Sequence, residues 1–168
     1  AVTATPKMEM MQSVPEQHVV CVTHKELVAC GANVRIFAQV LRVSENANTR
    51  AYQQAHRVLS SGHMVSLVVS NTVDGANRFR EVVKKLYKNV DIYQRYGGQN
   101  GQGHDDLPMN FSKKSIIITI QEDIQATDRR QISLVFHLDE QTVTSSLEKN
   151  IQVIGRGTRV CLGKMYMD

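Results

Sequence analysis

The sequence predicts an α+β fold: one compact domain with a mainly antiparallel sheet packed with two to three helices, behind a flexible N-terminal tail. Three observations predict it. Short β-branched runs recur along the chain, and two segments among them carry apolar residues at helical spacing. The strands and helices also fall into blocks rather than alternating strictly. A length of 168 residues with 42% hydrophobic content fits one globular domain, enough to bury a core without disulfides or metals. Tryptophan is absent and only four Phe and five Tyr occur, so Val, Ile, Leu and Met must build that core.

Residues 1–16 place Pro6 and Pro15 around Met8, Met10 and Met11, without periodicity, and read as a flexible tail. The domain is expected over residues 17–168. Residues 18–22 are a short β-branched run, and residues 34–43 are the clearest strand, with Val34, Ile36, Ala38 and Val40 on one face. Asn48 or Thr49 can cap a helix running to about Ser61, which Gly62 closes. Residues 63–70 are a compact β-rich run. Thr72 or Asp74 then opens a second helix to about Asn89, with an apolar stripe of Ala76, Phe79, Val82, Val83, Leu86 and Tyr87.

A short strand is expected at residues 90–93, followed by a mobile loop at about 96–112 that contains Gly97, Gly98, Gly101 and Gly103. Residues 115–121 and 131–138 read as strands joined by a polar connector. A short helix over 141–149 and a hairpin turned at 155–157 end the chain.

Composition narrows the function classes. The net charge of +4 leans slightly towards phosphate-bearing partners. Cys21, Cys30 and Cys161 form an odd set without framework spacing, which reads as free thiols in a reducing, intracellular compartment. Asn110-Phe111-Ser112 matches a glycosylation acceptor, but the thiols argue against secretion. No stretch approaches the ~20 apolar residues of a spanning helix, and no secretory signal is visible. Membrane contact, if any, is expected to be peripheral.

Catalytic signatures are weak. The glycine loop lacks the strand-turn-helix context and the Lys-Ser/Thr pair of a phosphate cradle. His18, Cys21, His24 and Cys30 have zinc-compatible residue types, but strand alternation would point Cys21 away from the histidines. His104, Asp105 and Asp106 lie on a loop that offers no rigid support for acid–base chemistry. Hence no catalytic, cofactor or metal residue is assigned, and no small-molecule substrate is expected. Basic residues are better represented: Arg78, Arg80, Lys84, Lys85 and Lys88 on the second helix, Lys113 and Lys114 entering a strand, and Arg129 and Arg130 in a connector. Gathered on one surface they would meet phosphate non-specifically. Few aromatics are interleaved, so base stacking is not the expected mode.

The order of elements, from the strand at 34–43 through the two helices, the glycine loop and the closing strands, resembles that of the rhabdovirus matrix proteins, particularly the shorter plant-infecting members. No diagnostic motif carries the resemblance, and the Pro-Pro-x-Tyr budding motif of several animal-virus members is absent. It implies a non-enzymatic structural protein of the virion interior that self-associates, condenses the nucleocapsid and touches anionic membrane. Met8, Met10 and Met11 would then insert into a neighbouring copy, and the glycine loop would be the flexible contact site. The alternative from the residues themselves is an RNA-binding accessory or coat protein.

Overall fold

Side-chain caps fix where the helices begin. The computed structural model describes residues 23–37, 39–97, 103–127, 129–139, 153 and 156–157. Helix α1, His24–Ala29, opens with a capping box. The Thr23 hydroxyl accepts from the Glu26 amide (3.3 Å), and the Glu26 carboxylate accepts from the Thr23 amide (2.7 Å). Helix α2, Ala47–Ser60, is capped by Asn46, whose Oδ1 accepts from the amides of Asn48 and Thr49 at 3.1 Å each. The cap therefore sits two residues before the earlier of the two predicted positions. Gly62 closes the helix with φ +71°, a left-handed conformation open to glycine at little cost. Helix α3, Val73–Leu86, starts at Thr72, whose hydroxyl accepts from the Gly75 amide at 3.1 Å.

Strands β1 (Val65–Ser70), β2 (Asp91–Arg95), β3 (Ser115–Ile120) and β4 (Leu134–His137) form one sheet in the order β2-β3-β1-β4. All three pairings are parallel, with Leu67 beside Ile117 and Val135, and Tyr93 beside Ile117. The fold is α/β, and the expected mainly antiparallel α+β sheet is corrected. The physical reason lies in the connections. Parallel neighbours need crossovers, supplied here by α3 between β1 and β2 and by a 3-10 helix, Gln121–Thr127, between β3 and β4.

The two central strands are buried on both faces, as parallel strands generally are. On one face Val68, Ile116 and Ile118 pack with Ala55 and Val58 of α2 and with Phe79 and Val83 of α3. On the other, Val65, Leu67, Val69 and Ile117 pack with Phe111, Ile124, Ile132 and Val153. The second cover is mostly irregular chain. It is held by Arg129, which donates to the carbonyls of Leu107 and Pro108 (3.1 Å each), and by Gln131, whose Oε1 accepts from the Phe111 amide at 2.8 Å. Leu107, Pro108 and Phe111, within the segment expected to be a mobile loop, thus take part in this layer.

The strand expected at 34–43 does not form among its described residues, all but Ala38. Phe37 is 90% and Val40 98% exposed, and the contacts to α2 run through the Gln39 side chain and through Ser44, just past the segment. Arg57 donates to the Gln39 side chain (2.9 Å), and the Ser44 amide donates to the Gln53 side chain (2.9 Å). Alternation of side chains alone could not reveal that the sheet offers this segment no partner. Val153, assigned by sequence to the closing hairpin, is helical and fully buried. The short helix over 141–149 and the part of the closing hairpin after its 155–157 turn lie outside the described residues, as does the run at 18–22.

Replacing Ile117 by Ala is expected to cost about 2–5 kcal/mol in urea denaturation, because both faces of β3 are packed. Phe37→Ala should stay within about 0.5 kcal/mol of the parent. Equal losses would place the 34–43 segment in the core.

Candidate functional site

The last turn of α3 and the start of β2 and β3 meet at the amino-terminal edge of the sheet. The Asp91 amide donates to the Lys114 carbonyl at 3.0 Å, which ties the α3–β2 turn to the chain entering β3. An open depression of about 590 Å³ forms there, lined by Lys84, Tyr87, Lys88, Val90, Asp91, Ile92 and Tyr93. Lys113 reaches its rim, with Nζ 3.3 Å from the Asp91 carboxylate.

Two lysines thus line the depression and a third, Lys113, reaches its Asp91 wall, and the acidic neighbours of Lys84 and Lys113 hold them weakly. Lys84 lies 3.8 Å from Glu81, and both are exposed, as are Lys113 and Asp91. Exposed pairs of this kind contribute ~0–1 kcal/mol, so an arriving phosphate can displace them. The carboxyl end of α3 itself disfavours an anion, so any attraction comes from the lysines and not from the helix dipole.

Other basic residues have structural duties. The Lys114 ammonium donates to the Leu59 carbonyl near the end of α2, and partial burial lowers its pKa from the usual lysine value. Arg80 sits beside the Tyr96 hydroxyl, whose pKa burial raises and Arg80 partly restores. Arg129 latches the cover layer as described. Arg78, Lys85 and Arg130 are exposed but do not line the depression. Gly97 and Gly103 have positive φ values of +82° and +91°. Met8, Met10, Met11, Gly98 and Gly101 lie outside the described residues, as do His18, Cys21 and Cys161.

The weaker candidates also find places. Asp105 closes onto β2: its carboxylate accepts from the Gln94 amide (2.6 Å), and its own amide donates to the Gln94 carbonyl (2.8 Å). His104 stands 3.7 Å from Asp123, while Asp106 is exposed. Cys30 is an exposed thiol donating to the Leu27 carbonyl at 3.3 Å. No cluster of three metal-ligating side chains occurs among the described residues.

Tyr87 is what sequence reasoning missed. Helical spacing assigned it and Leu86 to the buried stripe, yet they are 37% and 43% exposed, while Ala76, Phe79, Val82 and Val83 are buried. The available signal was its place between Lys85 and Lys88 at the end of the helix.

The opposite, carboxyl-terminal edge is acidic and self-satisfied. Asp139 accepts from the Ser70 hydroxyl (3.1 Å) and the Asn71 amide (2.5 Å), and Asp74, Glu122 and Asp123 follow the strand ends. A Cβ added at Gly75 would come within 2.6 Å of Ser70 Oγ, so the glycine keeps α3 close to β1. No protein-family description, curated protein or solved structure matches this chain.

His137, next to this edge, has its pKa lowered by burial, partly offset by Asp139. The folded protein then binds fewer protons than the unfolded chain between the ordinary histidine value and the lowered one. Stability is therefore fully present above pH ~6.5 and falls as pH drops through that window. His137→Asn should flatten this part of a melting-temperature profile, and an unchanged slope would rule out His137 as its source.

Proposed function

We propose that this chain is a nucleic-acid-binding α/β domain that holds the phosphate backbone through Lys84, Lys88 and Lys113 and carries no active site of its own. The observation that carries this reading is that Lys84 and Lys88 line one depression whose Asp91 wall Lys113 reaches from a separate segment. Sequence spacing gives no reason for Lys113 to meet the end of α3, and only the parallel pairing of β2 with β3 brings them together. Contact would be largely sequence-independent, as phosphate binding is.

The resemblance to matrix proteins implied an α+β domain, and that support does not carry over to a parallel sheet. A second reading is favoured by topology. In open parallel sheets ligands sit beyond the carboxyl ends of strands where crossovers leave to opposite sides. Here that point lies between β1, followed by α3 on one face, and β3, followed by the 3-10 helix on the other. A nucleoside phosphate bound there, beside exposed Asn71 and Thr72, would make the domain part of a nucleotide-dependent machine. Asp139 already occupies the Asn71 amide, which makes this reading second.

Fluorescence anisotropy with labelled oligonucleotides over a range of salt tests the first reading. Neutralising Lys84, Lys88 and Lys113 together to Gln should weaken binding about tenfold or more and reduce the salt slope by roughly 2–3. Lys25→Gln, on α1, should leave both unchanged. Binding that ignores the triple variant but is displaced by nucleoside triphosphate would favour the carboxyl edge. Growth into large assemblies with protein concentration would return the matrix-type bridge.

A further inference from the structure

We infer that the lysine face takes single-stranded rather than duplex nucleic acid, with Tyr87 as the platform on which a base stacks. The inference rests on the nucleic-acid reading of that face and deepens it. Tyr87 is the C-cap of α3, and its backbone has left the helix for an extended conformation, φ −140° and ψ 113°. Its amide still donates to the Val83 carbonyl at 3.0 Å, so the residue is anchored where it departs. Tyr87 lines the same depression as Lys84 and Lys88, and the residue remains more than a third exposed.

The core does not account for this placement. Phe79, Val82 and Val83 fill the space between α3 and the sheet, and Tyr87 lies past the end of that contact. A tyrosine that shares a depression with two lysines offers two things to a single strand: cations for its phosphates and an apolar face for a base. A duplex can use only the first, because its bases are stacked inside the helix and cannot turn towards the ring. Stacking needs no particular base, so sequence preference should be slight.

The experiment compares a labelled oligouridylate with a duplex of equal length on the full chain. The parent should prefer the single strand. Tyr87→Leu keeps an apolar side chain but removes the ring, and it should lower single-strand affinity at least about fivefold while sparing duplex binding. Tyr87→Phe should restore the preference, which a merely structural role for the hydroxyl would not allow. Tyr87→Trp introduces the only tryptophan, and its fluorescence should be quenched by the oligouridylate. Equal binding of both nucleic acids by the parent, or a preference that survives Tyr87→Leu in a protein of unchanged melting temperature, would overturn the inference. If the triple lysine variant still abolishes binding in that case, only the stacking role fails. If the lysine variant binds normally, the reading of the face itself fails.

Discussion

Burial of β1 and β3 on both faces is the constraint from which the rest of the architecture follows. Val65 to Val69 and Ile116 to Ile118 are fully enclosed, and a strand enclosed on both sides needs a cover on each. Helices α2 and α3 supply one cover. The other is a patchwork of Leu107, Phe111, Ile124, Ile132 and Val153, held by side-chain hydrogen bonds to backbone carbonyls and amides. Because α3 must lie along the sheet between two parallel strands, its carboxyl end is delivered to the edge where β2 and β3 begin. The lysines that solubilise that end thereby become neighbours of Lys113. The candidate site is a by-product of the crossover geometry.

Much of this was legible in residues and some was not. Thr72 as a cap, Gly62 as a stop and the β-rich runs at 63–70 and 115–121 follow from local chemistry, and the structure has strands within those runs at Val65–Ser70 and Ser115–Ile120. Strand direction is not local. The run Ser-Ile-Ile-Ile-Thr-Ile does carry a signal, since an uninterrupted apolar strand is the mark of a parallel sheet covered twice. Counting blocks of strands and helices outweighed that signal in the α+β expectation. The capping box at Thr23 and Glu26 is equally readable, but the β-branched run at 18–22 just before it draws the reading towards strand. Residues 34–43 misled for the opposite reason: their alternation is sound, but pairing depends on which sheet edges are free. The lysine cluster was half legible, for its α3 members sit on one helix, but Lys113 joins them through tertiary pairing alone.

Charge is distributed along the strand axis, and the distribution bears on where a polyanion can settle. At the carboxyl edge Asp139 satisfies the Ser70 hydroxyl and the Asn71 amide, and Asp74, Glu122 and Asp123 stand near it. At the amino edge Lys84, Lys85, Lys88 and Lys113 outnumber Glu81 and Asp91. Under the proposed function a strand of phosphates would meet repulsion at the first edge and attraction at the second. At moderate ionic strength the difference is felt within about 10 Å of the surface. A net charge of +4 is too small to steer by itself. Under the proposed function the uneven balance of charge between the two ends of one parallel sheet, with Arg95 the basic residue that closes β2 at the acidic end, would do more, because it would orient the domain before contact and present the lysine face first.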